Sequence, residues 1–150
     1  MEETLLVIHI VSAAAWIGGS MFLGFAGPRM AAAGGPAAGA WVGVALAAVT
    51  RYFTPAALLT AASGVTMVFV LDEWDWTQAF VWIGLTVFVL ALAIALGNNV
   101  PAMKAARSAA QAGNVEEAAA NGRKVVRGGI TIVTLLIAAE IAMVLRLGAS

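Results

Sequence analysis

The chain has 150 residues, enough for one domain, with hydrophobic residues at 62%, charged residues at only 11% and zero net charge. A soluble domain carries roughly 25% charged residues, so this composition excludes an ordinary soluble fold and points to lipid as the solvent. Neutrality gives no basis for nucleic-acid binding, and the absence of cysteine excludes disulfides, iron–sulfur clusters and thiolate metal sites.

Mean hydropathy is +0.95. The first apolar segment opens Met1-Glu2-Glu3, acidic where a secretory signal is basic, and so reads as a retained membrane helix. It runs over about 4–26. A membrane helix needs about 20 mostly apolar residues, and three further segments qualify, at about 54–71, 78–96 and 126–147. The expected fold is therefore an all-α integral membrane protein, a single domain of four transmembrane helices. The stretch 37–49 is apolar but too short to span alone. It is expected to form a short interfacial helix, or a protruding extension, between the first two spans, after a turn at Gly34-Gly35-Pro36. The alanine-rich polar stretch 103–124 reads as a solvated helical hairpin or loop.

Basic residues set the orientation. Arg29, Arg51, Lys104, Arg107, Arg123, Lys124 and Arg127 share one side; only Arg146 falls on the other. That side is expected to be cytoplasmic, with both termini external, in the plasma membrane. The short loop Asp72-Glu73-Trp74-Asp75-Trp76 is then external, its tryptophans at headgroup level.

The only histidine, His9, lies in the first span. An ionisable residue inside a membrane span is by default a functional one. His9, Ser12, Trp16, Gly19 and Leu23 recur at spacings of three and four and share one face. By depth, Glu140 and Met143 on the fourth span and Met67 on the second fall in the same layer as His9. His9, Ser12, Trp16, Gly19, Met67, Glu140 and Met143 are therefore the candidate cofactor-binding residues. His9, Met67 and Met143 are the candidate metal ligands. The plain alternative is that His9 and Glu140 pair with each other and lock two helices.

Two stretches carry a family resemblance. "HIVSAAAWIGG" (9–19), followed by Pro28-Arg29, resembles the first helix of HemJ-type protoporphyrinogen oxidases. "RYFTPAALLTAASG" (51–64) resembles the start of their second helix. CopD-like copper-resistance membrane proteins look similar in the same places. The likeness covers the first half of the chain. It implies a four-span membrane protein that binds haem b or handles porphyrins, with His9 as axial ligand. Met67 or Met143, or His9 of a second copy, would take the other axial position. It also implies an oxidoreductase, but a third-helix lysine implicated in that family is missing: Trp82 stands near its place and Lys104 lies beyond the inner end. Two other readings remain. One is copper handling, since an imidazole and two thioethers suit Cu(I). The other is a structural small subunit of a larger membrane complex, or a homo-oligomer, using Gly35, Gly39 and Gly43 as a contact face.

Overall fold

A computed structural model describes residues 2–33, 35–72 and 74–145. It is all-helical: α1 (Glu2–Ala33), α2 (Gly35–Ala48), α3 (Thr54–Val70), α4 (Ala79–Ile94), α5 (Val100–Gln111) and α6 (Val115–Val144). A π-helical turn, Val49–Phe53, joins α2 to α3, and a second, Ala95–Asn99, joins α4 to α5. Counted through these turns, four helices are long and apolar enough to cross a membrane.

The separate interfacial helix expected at 37–49 is not seen. Ala37–Val70 is one continuous run of 34 residues. Both residues flanking the turn, Ala48 and Thr54, stay in the right-handed helical region. No glycine or proline breaks the chain between residues 44 and 54. At 1.5 Å per residue the run is about 50 Å long, against a hydrocarbon core of about 30 Å. The surplus lies at the end of the bundle that carries Arg29, Arg51 and Lys104, here called the basic end. The third helix likewise runs past 96 to Gln111, and the fourth begins at Val115. The polar stretch 103–124 is thus a helical hairpin that extends these two helices. Gly113 turns it, with φ of 76°, and Asn114 caps α6 by accepting the Glu117 N–H at 3.1 Å. Of the expected first turn, Gly34 lies outside the described residues while Gly35 already starts α2. The end of the fourth span at 146–147, Glu73 of the short loop and the side chain of Gly35 also lie outside the described residues.

Each π turn comes just before a proline, Pro55 and Pro101. Proline lacks the N–H that an α-helix requires, and its ring collides with the carbonyl four residues back. A wider turn relieves both problems without ending the helix. The Thr54 N–H accordingly reaches the Val49 carbonyl, five residues back.

The packing order around the bundle is α3, α1, α6, α4. Trp16, Ala57, Val87, Ala91, Ile132, Leu136 and Ala139 form the central cluster, with Trp16 edge-on to Phe88 at 6.1 Å. Gly19 lets α1 meet the Phe53 ring, which would overlap any side chain there. At the basic end, α5 buries Ala102, Met103, Ala106 and Ala109. Gly43 of α2 lies against Arg107, so part of the expected Gly35–Gly39–Gly43 contact face is used within the chain. At the opposite end, here called the His9 end, α3 and α4 scarcely touch and a cavity separates them.

Candidate functional site

The cavity holds about 260 Å³. All four long helices and Trp74 line it. Its walls are apolar: Trp16 and Ile17 from α1, Val65 and Val68 from α3, Phe80, Val81 and Phe88 from α4, Leu136 and Ala139 from α6. Three polar residues interrupt them: His9, Thr60 and Glu140.

His9 is fixed by α3. Its Nδ1 lies 2.9 Å from the backbone carbonyl of Thr60 and 3.2 Å from Ser63 Oγ. A carbonyl oxygen only accepts, so Nδ1 carries the proton and donates. In the neutral ring Nε2 then bears the lone pair. Nε2 makes no hydrogen bond to any described residue, and no side-chain nitrogen or oxygen among them is fully enclosed without a partner. Nε2 is therefore the ring nitrogen left free, on a side chain that lines the cavity. An accepting carbonyl behind the ring, with a free nitrogen in front, is the usual preparation of a ligating histidine.

Local sequence explains the ring's position. Gly64 has no side chain, and a Cβ there would stand 3.0 Å from His9 Cε1 and 3.3 Å from Nδ1. The imidazole can therefore lie against the backbone of α3. Around it runs a seam of small hydroxyl residues. Ser12 Oγ is 2.7 Å from the Ile8 carbonyl, and the Thr60 hydroxyl is 2.9 Å from both Ser12 Oγ and the Ala56 carbonyl. Ser63 Oγ is 2.7 Å from the Leu59 carbonyl. Such bonds between membrane helices are worth on average only about 0.6 kcal/mol each. They hold the ring in place more than they hold the bundle together.

The structure brings four of the seven expected site residues to one cavity: His9, Trp16, Glu140 and Met143. Met143 sits over Gly84, which could carry no side chain without colliding with the Met143 methyl group. The other three lie elsewhere. Ser12 is buried in the α1–α3 seam, and Gly19 meets Phe53. Met67 is fully buried and does not line the cavity. The depth argument could not fix the direction of Met67 around α3. His9 and Glu140 form no ion pair, and Glu140 has no hydrogen-bond partner among the described residues. The acceptor behind His9 is the Thr60 carbonyl and not Glu140. Trp82, at the place of the missing lysine, does not line the cavity. It is 56% exposed, and its indole N–H donates to the Trp76 carbonyl at 2.8 Å.

Thr60, Ser63 and Gly64 were the functional neighbours missed in the sequence. Their signal was present as small and hydroxyl residues at i, i+3 and i+4 in "TAASG". No group of three or more His, Asp or Glu side chains that could hold a metal occurs among the described residues. Together the fold and the cavity define a four-helix bundle of membrane-spanning length with one prepared imidazole. Comparisons of the chain with protein-family models, with curated proteins and with solved structures found no match.

Proposed function

We propose that the chain is a plasma-membrane protein that binds haem b or handles a porphyrin, with Nε2 of His9 as the axial ligand. One observation carries this reading: the Thr60 carbonyl holds Nδ1–H and leaves Nε2 free at an apolar cavity. The donor chemistry fits a haem iron, which takes a single proximal imidazole in several protein classes. The size fits in part. Sites that bury most of a drug-sized ligand measure about 300–1,000 Å³, so a porphyrin held at 260 Å³ is not fully enclosed. When bound, the iron would supply one-electron chemistry. The residues themselves orient the imidazole through Thr60 and Ser63, exclude water with the walls around Trp16 and Phe88, and place the Met143 thioether in the same cavity.

Met143, rather than Met67, shares the cavity lining with His9 and would be the methionine placed to contact a bound haem. The copper reading requires both thioethers beside His9, and Met67 stands outside the cavity lining. Protoporphyrinogen oxidation is not part of the proposal, because no lysine stands on α4. The orientation proposed has both termini external and the α5–α6 hairpin cytoplasmic.

The test is an absorption spectrum of protein purified after expression with ample haem. A Soret band that disappears in His9→Ala, while that variant still inserts, is expected. A parent protein with no band, or a His9→Ala variant with the parent's spectrum, overturns the reading.

A further inference from the structure

Only three residues of the cavity lining are exposed: Leu6 at 42%, Ile10 at 55% and Val144 at 79%. Leu6 and Ile10 lie near the start of α1, and Val144 ends α6. Deeper in the bundle these two helices close on each other, with Trp16 packed in one cluster with Leu136 and Ala139. The exposed part of the lining thus belongs to α1 and α6 alone, which points to a mouth between their ends. Its rim is wholly apolar. A mouth facing water would place bare leucine, isoleucine and valine against solvent, whereas among acyl chains such a rim costs nothing. Inside, the ionisable side chains without a partner for every polar atom among the described residues are His9, at Nε2, and Glu140.

We propose that the cavity is loaded sideways from the bilayer, through the mouth between α1 and α6. Its ligand is then a membrane-dissolved molecule with an apolar body and a polar group that meets His9 and Glu140. This rests on the reading of the cavity as a ligand site, but not on the ligand being haem.

The chain has no cysteine, so one introduced thiol reports on the cavity alone. Ala139→Cys places it on the buried α6 wall, and Ala13→Cys on the α1 wall serves as a second reporter should the first fail to insert. The full chain in phosphatidylcholine vesicles is treated with a membrane-dissolved N-alkyl maleimide or with a sulfonated, membrane-impermeant maleimide. Each rate is normalised to the same thiol in unfolded protein. The alkyl reagent is expected to react at least about tenfold faster, since charged groups are excluded from acyl chains. Ile10→Trp at the rim should slow it several-fold, while Val89→Trp, on a face of α4 outside the cavity, should not. Equal rates for the two reagents, no reaction with either, or no effect of Ile10→Trp would overturn the proposal. Because no haem is present, failure here is separate from failure of the spectroscopic test. A protein labelled from the lipid but lacking a Soret band keeps lateral loading and loses the haem reading.

Discussion

Nδ1 of His9 stands 2.9 Å from the backbone carbonyl of Thr60, and this contact decides which ring nitrogen carries the proton and which is left free. A carbonyl with two lone pairs can serve its own helix bond and accept from the ring as well. Because the acceptor is backbone, no side-chain substitution at Thr60 deletes it.

The single histidine makes this directly observable. Nitrogen NMR of histidine-labelled protein free of ligand should show Nδ1 protonated and Nε2 bare. Glu140→Gln should leave that pattern unchanged, since Glu140 does not hold the ring. Nε2 found protonated in the parent, or a tautomer change in Glu140→Gln, would count against the geometry described here.

Gly64 gives a steric test of the same site. Gly64→Ala places a methyl group about 3 Å from the ring. Overpacking of this kind costs about 1–3 kcal/mol, and here it also pushes the imidazole off the Thr60 carbonyl. Haem uptake should weaken along with thermal stability. Gly18→Ala, with open space at its Cβ, should do neither. Equal behaviour of the two variants would mean that the ring does not rest on α3.

Much of this arrangement was legible in the sequence. Four apolar segments gave the four helices, because length and hydropathy are nearly sufficient once lipid is the solvent. His9, Trp16, Glu140 and Met143 share the cavity because helical spacing and depth are both simple functions of residue number. The rest depended on quantities that residue number does not carry. The direction of Met67 around its helix depends on how α3 is rotated, and the π turn before Pro55 alters that rotation. The acceptor for His9 is a main-chain atom, invisible to any argument about side-chain types. The 37–49 stretch misled because span length argues for a break, whereas the local sequence has nothing to make one.

In the loop between α3 and α4, Asp75 has a clear titration shift. Asp75 is held below its ordinary value, first by the Thr77 hydroxyl and then by the Thr77 N–H at 2.6 Å. These bonds favour the charged form. Their contribution to loop order is therefore present above the unfolded pKa and is lost as pH falls through the lower folded value. Thr77→Val should raise the Asp75 titration toward that of a free aspartate, followed by carbon NMR of the carboxyl. An unchanged titration would show that the hydroxyl does not set it.

The orientation has its own check. From the sequence, seven of the eight basic residues are expected on one side, and an even number of spans would place both termini together. A reporter fused after Ser150 should be active only outside the cytoplasm. Activity only inside would reverse the orientation while leaving the cavity and its lining intact.

At the basic end, Gly128 of α6 sits against Asn99, the last residue of the second π turn. Asn99 is 8% exposed, and its Oδ1 accepts the Asn98 amide at 2.9 Å. A Cβ at position 128 would overlap that oxygen and stand 2.9 Å from Asn98 Nδ2. The buried Asn99 amide cannot retreat without losing its Asn98 partner, so Gly128→Ala should destabilise the bundle by about 1–3 kcal/mol. Gly129, one residue on, has open space at its Cβ. Gly129→Ala should be neutral or stabilising, by up to ~1 kcal/mol, through helix propensity alone. If the Gly128 penalty comes from Asn99, removing the amide should relieve it. The double variant Gly128→Ala, Asn99→Ala should then lose less than the sum of its parts, by at least about 0.5 kcal/mol. Denaturant unfolding in micelles measures the parent, Gly128→Ala, Asn99→Ala, the double variant and Gly129→Ala on one scale, and strict additivity would show that the glycine and the asparagine do not meet.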